Sequence, residues 1–165
     1  MDIIVSSIKK AKLDLEKANT NNIKAIIVSS YNNDIEKIPV ENKLVLNFDD
    51  ITYSSLSSFS FSIAKKIHDF INEIDDEKYK LYICCDSGVS RSSAIAACIL
   101  RKNGEDENKI WKDCNYHPNI LVYDTLCKEF GLYNTKLRLK YKKYINDRTL
   151  SKKIRKQSKR RFISP

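Results

Sequence analysis

Residues 80–100 constrain the fold more than any other stretch of the chain. Lys80 to Cys84 is an apolar run of strand length, and Ser92 to Leu100 (Ser-Ser-Ala-Ile-Ala-Ala-Cys-Ile-Leu) reads as a helix with small residues at its start. Between them lie Cys85, Asp86, Ser87, Gly88, Val89, Ser90 and Arg91. A buried strand that passes through a short loop straight into a helix is half of a βα unit. Its loop falls at the C-terminal end of a strand, where the ligands of parallel sheets bind.

The composition of that loop points to a phosphate cradle. Backbone N–H groups at the start of a helix can all turn toward one anion, and Gly88 permits the φ > 0 turn this requires. Arg91 offers a planar fork that grips two phosphate oxygens, where a lysine would act as a point charge. A thiol at a helix N-terminus beside a cation ionises more readily than a free one, which predicts a nucleophilic thiolate at Cys85. Ser92 places a hydroxyl in the first helical turn, within reach of that sulfur. The competing reading makes Cys84 and Cys85 core residues at a strand end, with Arg91 a cap. An ATP-binding loop would need Gly-Lys-Ser or Gly-Lys-Thr, which the chain lacks, and a rhodanese-like loop lacks this spacing.

These residues resemble the signature of the protein tyrosine phosphatase superfamily, in particular its small dual-specificity members: His-Cys, two residues, Gly, two residues, Arg, then Ser or Thr. The resemblance implies that Cys85 is the nucleophile, Arg91 the phosphate clamp and Ser92 the hydroxyl that aids the second step, with residues 86–91 binding phosphate. It also implies a general acid after a strand some thirty-odd residues upstream, which places it in Leu44-Val-Leu-Asn-Phe-Asp-Asp-Ile51. Asp50 is preferred over Asp49, because the family's acid is followed about six residues later by an aliphatic residue that opens a helix, and Leu56 suits that spacing. The rival reading of the Asp pair is a helix-start or turn signal. Downstream, His117-Pro-Asn-Ile-Leu-Val-Tyr-Asp-Thr-Leu126 resembles the Pro-Asn segment of the same enzymes. Asn119 would there brace the phosphate loop by bonding its backbone, or Pro118-Asn119 simply starts the last helix. The chain departs from the signature at Cys84, which stands where a loop-ordering His is usual, and Asp86 sets an acid beside the anion site. That acid argues against highly phosphorylated inositol lipids as substrates. The resemblance spans roughly residues 1–133.

Strand-like and helix-like stretches alternate, which predicts an α/β fold with a central, mainly parallel sheet of about four or five strands flanked by helices. Ile3–Ser6, Ile23–Ser29 and Lys43–Phe48 read as strands. Ile8–Ala18 reads as a helix with Ile8, Ala11 and Leu15 on one face. A second helix from about Ser58 to Ile74 carries Ile63, Ile67, Phe70, Ile71 and Ile74 as a stripe. His68 lies off that stripe and is expected in solvent. His117 is expected to be a turn residue, and Trp111 to pack a short helix onto the core.

A chain of 165 residues is long enough for one core. No run of 18 apolar residues occurs and Met-Asp-Ile-Ile-Val-Ser-Ser lacks the features of a signal peptide, so a soluble, intracellular, cytoplasmic chain is expected, nuclear too in a eukaryotic or viral setting. Five cysteines without Cys-x-x-Cys pairing disfavour a disulfide framework and a zinc site. Cys84 reads either as a buried strand residue or as a partner that traps oxidised Cys85 as a strained disulfide.

The net charge of +9 is a property of the tail. Residues 136–165 hold 13 Lys or Arg and one acid, leaving −3 for residues 1–135. The expected division is therefore a catalytic domain over 1–135 and a basic extension over 136–165, partly helical or disordered. The extension reads as a solvated face, or as an electrostatic tether to nucleic acid, an anionic membrane or an acidic protein. The function these observations imply is hydrolysis of phosphotyrosine and phosphoserine or phosphothreonine in proteins through a cysteinyl-phosphate, without metal or cofactor. The alternatives are an RNA 5′-phosphatase on the same fold and a non-catalytic phosphate-binding module.

Overall fold

The computed structural model describes residues 1–31, 35, 38–73, 79–136 and 138–147. Four strands, β1 (Asp2–Ser7), β2 (Ile23–Ser29), β3 (Lys43–Asn47) and β4 (Lys80–Cys85), form one sheet in the order β1-β4-β2-β3. Every pairing is parallel, so all four C-terminal ends lie along one edge. The helices are α1 (Ile8–Leu15), α2 (Phe61–Asn72), α3 (Arg91–Lys102), α4 (Asn108–Trp111) and α5 (Ile120–Glu129). This is the α/β architecture expected from the alternating pattern, with four parallel strands.

Strand alternation sorts the core into two layers. Ile23, Ala25 and Ile27 of β2, with Cys84 of β4, join Ala11 and Leu15 of α1 and the apolar residues Ile35, Ile38 and Val40. The remaining positions face the other way: Leu81, Ile83 and Cys85 of β4, buried at 0% exposure, lie toward α3. α3 is covered by the sheet on one side and by α4 and α5 on others, and every residue from Arg91 to Leu100 is buried. A helix hidden all round needs small side chains to let its neighbours approach, which explains its Ser-Ser-Ala-Ile-Ala-Ala start.

Buried Lys24 shows how a cation is tolerated in β2. Its stem runs through the layer, and Nζ donates to the Glu73 carbonyl at 3.3 Å while lying 4.8 Å from the Tyr79 ring centroid.

α2 starts later than the pattern suggested. Ser60 caps it, accepting from the Ile63 N–H, because Phe59 is drawn down against Phe48 (ring centroids 5.0 Å apart) and Ser58 closes a turn with Ser55. Ala64, Ile67 and Ile71 carry its buried stripe, whereas Ile74 lies outside the described residues. His68 is half-buried rather than solvated: its ring packs edge-on to Phe130 at 5.2 Å, and Nε2 lies 3.1 Å from Asn72 Nδ2.

α3, α4 and α5 meet around buried Glu107. Its Oε2 accepts from the Tyr123 hydroxyl at 2.5 Å and from Trp111 Nε1 at 3.2 Å, and Arg101 lies 3.7 Å from Oε1. Burial, the neighbouring Cys127 and the bond to Glu107 push the Tyr123 hydroxyl far above its ordinary value, so it stays a donor. Trp111 is the packing residue its sequence context suggested. Glu107→Ala removes the shared acceptor and strands buried donors, so thermal unfolding should show a loss of about 3 kcal/mol, while Glu107→Gln loses less.

The chain divides into two compact units, Met1–Tyr133 and Asn134–Pro165. In the second, residues 135, 136 and 138–147 are helical, entered through Asn134, whose side-chain oxygen accepts from the Lys136 N–H at 3.0 Å. Residues 148–165, which carry most of the basic extension read from the sequence, lie outside the described residues. Among the described residues no helix is long and apolar enough to cross a membrane.

Candidate active site

Three strand ends and two helix starts supply the site, the second being Arg91 and Ser92 at the head of α3. β4 delivers Cys85 and the loop 86–90, β2 ends in Ser29 and runs on to Ser30, β3 leads into Phe48, Asp49 and Asp50, and Asn119 caps α5. The parallel topology makes this convergence inevitable: each strand empties at the same edge.

Cys85 is fully buried at the foot of the loop, with Sγ 3.1 Å from Ser92 Oγ. The loop's outward carbonyls are occupied. The Val89 carbonyl accepts from Ser93 Oγ (2.6 Å) and the His117 N–H (2.9 Å), and the Ser90 carbonyl accepts from the Asn119 N–H (3.2 Å) and the Ala94 N–H (3.1 Å). Because a peptide is planar and trans, a carbonyl pinned outward turns the next N–H the opposite way. The amides of Ser90 and Arg91 therefore point away from the groups that hold those carbonyls.

Gly88 has φ +72°, and close packing adds a second requirement for glycine. A Cβ there would lie 2.4 Å from the Ser7 N and 2.5 Å from the Ser6 carbonyl carbon. The loop is pressed onto the end of β1, and Ser87 is left exposed at its tip.

Arg91 is 4% exposed, and protein groups hold most of its head. Nη1 donates to Ser30 Oγ (2.9 Å) and to the Phe48 carbonyl (2.7 Å), and Nη2 donates to Asp86 Oδ2 (2.5 Å). Nε is buried and has no hydrogen-bond partner. A guanidinium has five N–H donors; with three bonded to protein acceptors, the Nε–H and one Nη2–H are left over. Asp86 thus holds the Arg91 guanidinium with its side chain. Burial opposes its charge, but hydrogen bonds from Arg91 and Ser29, the Arg91 charge and the Ser30 amide outweigh that and hold its carboxyl below the usual range.

Asp50 lies across the mouth. Its Oδ1 accepts from Ser90 Oγ and from Asn119 Nδ2, both at 2.8 Å. Asn119 Nδ2 also donates to the Ile51 carbonyl at 3.0 Å, while its Oδ1 caps α5 by accepting from Leu121 and Val122. Asn119 therefore touches the phosphate loop through its backbone amide and holds the Asp50 loop with its side chain, besides starting α5. Asp49 uses its backbone to close the 49–57 turn, donating to the Ser57 carbonyl at 2.8 Å. Leu56 does not open a helix: it is fully exposed in a turn and α2 begins at Phe61, so the spacing that favoured Asp50 fails. Of the two acids, Asp50 is the one whose side chain is bonded to the loop, through Ser90 Oγ.

Cys84 takes no part in the cradle. It faces the opposite layer from Cys85, 3.6 Å from Ser6 Oγ, and burial, partly offset by that hydroxyl and reinforced by the Cys85 charge, pushes its thiol up to about 11. Neighbours pointing to opposite faces of a strand cannot form a disulfide without rebuilding the strand end, which removes the basis for Cys84 trapping oxidised Cys85. Among the described residues no three His, Cys, Asp or Glu side chains converge as a metal-binding group.

Ser29, Ser30 and the Phe48 carbonyl escaped the sequence reading. The available signal was two serines closing the buried strand β2, which only a known strand order ties to Arg91.

No protein-family model and no curated protein sequence matches the chain. Solved structures do match its fold. The human tyrosine phosphatase-like serine/threonine/tyrosine-interacting protein is 17% identical with a TM-score of 0.56, covering 79% of this chain and 91% of its own. DUSP15 is 18% identical with a TM-score of 0.55 over 86% and 90%. PTPMT1, solved in complex with PI(5)P, is 16% identical with a TM-score of 0.53 over 90% and 94%. The parallel sheet, the strand-to-helix loop at its edge and these likenesses together show that the chain has the fold of the cysteine-based dual-specificity phosphatases.

Proposed function

We propose that the chain is a protein phosphatase acting on phosphotyrosine and on phosphoserine or phosphothreonine through a cysteinyl-phosphate. The observation that carries this reading is Cys85 Sγ, 3.1 Å from Ser92 Oγ, at the foot of a loop whose Arg91 retains unused donors. In the first step the Cys85 thiolate attacks phosphorus in line, and the bond from phosphorus to the ester oxygen breaks. Loop amides and Arg91 hold the charge on the phosphoryl oxygens. Asp50 gives its proton to the leaving oxygen. In the second step Asp50, now a carboxylate, takes a proton from water as that water attacks phosphorus. The sulfur leaves as thiolate, eased by the Ser92 hydroxyl, and phosphate is released.

Asp50 Oδ1 already accepts two hydrogen bonds. Its acidic proton therefore belongs on Oδ2, the oxygen free to face substrate. Asn119 and Ser90 are positioning residues for that arrangement.

The test is turnover of aryl phosphates that differ in leaving group. Asp50→Asn should cost on the order of 10²–10⁴-fold on phenyl phosphate and much less on p-nitrophenyl phosphate, whose phenolate departs without a proton. Asn119→Ala should show the same slope in weaker form. An equal loss across all leaving groups would remove Asp50 from the acid role. Comparing phosphate release from phosphopeptides and triphosphate-ended RNA separates the protein phosphatase from an RNA 5′-phosphatase. Binding of phosphopeptide without turnover would instead make the chain a binding module. The basic extension from residue 136 is proposed as a tether to an acidic partner, tested by deleting 146–165 and measuring binding to RNA, anionic vesicles and acidic protein.

A further inference from the structure

Asp86 follows the nucleophile directly, and three donors fix its carboxylate. Oδ1 accepts from Ser29 Oγ at 2.9 Å, and Oδ2 accepts from Arg91 Nη2 and, at 3.4 Å, from the Ser30 N–H. Held from β2 and α3 at once, it cannot swing aside when a ligand arrives. Its side chain nevertheless stays 40% exposed, against 5% for Arg91. A fixed negative charge therefore stands open on the rim of an anion site. Exposed Asp50 adds a second acid across the mouth. Of the ionisable side chains whose hydrogen bonds build the site, two are carboxylates, one is a thiol and one is a guanidinium.

We propose, resting on the phosphatase reading above, that Asp86 determines specificity: it restricts the site to a single phosphate on a protein segment with neutral or basic neighbours. A buried Arg91 and inward amides attract one phosphoryl group placed directly over Cys85. A second anionic group, whether a chained phosphate or an acidic side chain beside the phosphorylated residue, must lie near the rim, closer to Asp86 than to the buried guanidinium. There the two like charges, separated by several ångströms at a partly solvated surface, cost about threefold in affinity at low salt and less as salt screens them. A lysine in the same place gains by a similar factor.

The experiment reads binding to Cys85→Ser protein, full chain, by fluorescence anisotropy. The probes are two phosphotyrosine peptides, one flanked by lysines and one by glutamates, and a triphosphate-ended RNA oligonucleotide. The lysine-flanked peptide should bind about tenfold tighter than the glutamate-flanked one, with the difference shrinking toward 0.15 M salt. Adding Asp86→Asn, which keeps the shape and one accepting oxygen but removes the charge and turns the other oxygen into an N–H donor, should cut that ratio to about threefold or less, and Asp86→Glu should keep most of it. The basic residues of 136–165 bias all variants alike, so the change in ratio is the readout. An unchanged peptide ratio in Asp86→Asn, no preference in the parent, no binding of either peptide, or RNA binding that gains nothing relative to the lysine-flanked peptide in Asp86→Asn overturns the proposal. Turnover of p-nitrophenyl phosphate by the unaltered chain is measured in parallel. Its absence counts against the phosphatase reading alone, because the ratio is read without chemistry.

Discussion

Cys85→Ser should abolish phosphate release, lowering turnover of p-nitrophenyl phosphate by at least about 10³-fold, the scale on which removal of a nucleophile acts. The reason is specific to this position. An alkoxide is far less accessible than a thiolate at neutral pH, and the proposed attack starts from the sulfur that lies 3.1 Å from the Ser92 hydroxyl. The same substitution should leave the fold standing, since a hydroxyl replaces a thiol of nearly equal shape beside a hydrogen-bonding partner. Unfolding midpoint and phosphopeptide binding are the companion measurements. Turnover that survives in Cys85→Ser would take the nucleophile away from this residue and with it the cysteinyl-phosphate route. Cys84→Ser should behave quite differently, with a stability cost and little loss of turnover, because that sulfur belongs to the α1 layer.

Gly88→Ala should be the most damaging single methyl in the molecule. Two effects add: a side chain forced to φ +72°, and a Cβ driven to 2.4 Å from the backbone of Ser7, which belongs to β1 and cannot rotate away. Strain of the first kind costs roughly 1–3 kcal/mol and overpacking of the second roughly 1–3 kcal/mol, so a loss of about 3 kcal/mol or more is expected in chemical unfolding. If the loop lifts to relieve the clash, the amides of Ser90 and Arg91 move off target. A shift near 1 Å in such a site costs on the order of 10²-fold in rate. Gly131→Ala provides the control: it shares positive φ (+68°), but a Cβ there meets nothing within 4 Å. It should cost only the strain and leave turnover alone. Equal effects at the two glycines would show that contact with β1 is unimportant.

Much of this molecule was legible before any coordinates. The apolar run into Cys85 and the small-residue run out of Arg91 announce a strand and a helix because each has its own periodicity, and a loop between them has to lie at a sheet edge. The alternation of such units leads to a parallel sheet, and the four strands fall where local pattern puts them. Legibility fails wherever a side chain's role depends on a neighbour distant in sequence. The family spacing makes Leu56 a helix opener, yet the contact between Phe48 and Phe59 holds the segment as a turn and delays α2 to Phe61. His68 seemed solvated because it sits off the α2 stripe, yet Phe130 from beyond α5 covers it.

The cradle divides along the same line. Sequence alone determined which atoms are available: one thiol, one guanidinium, one hydroxyl and one glycine at fixed spacing, all local and therefore written in consecutive residues. Only the tertiary structure decided how they are aimed. Arg91 is turned by Ser30 and the Phe48 carbonyl, 61 and 43 residues away, and Asp50 is bonded by Ser90 and Asn119, 40 and 69 residues away. Gly88 is demanded by β1 as well as by its own turn. Those contacts exist because strand order β1-β4-β2-β3 places the end of β4 between those of β1 and β2, with β3 beyond, an arrangement set by packing of whole elements rather than by the residues of any one.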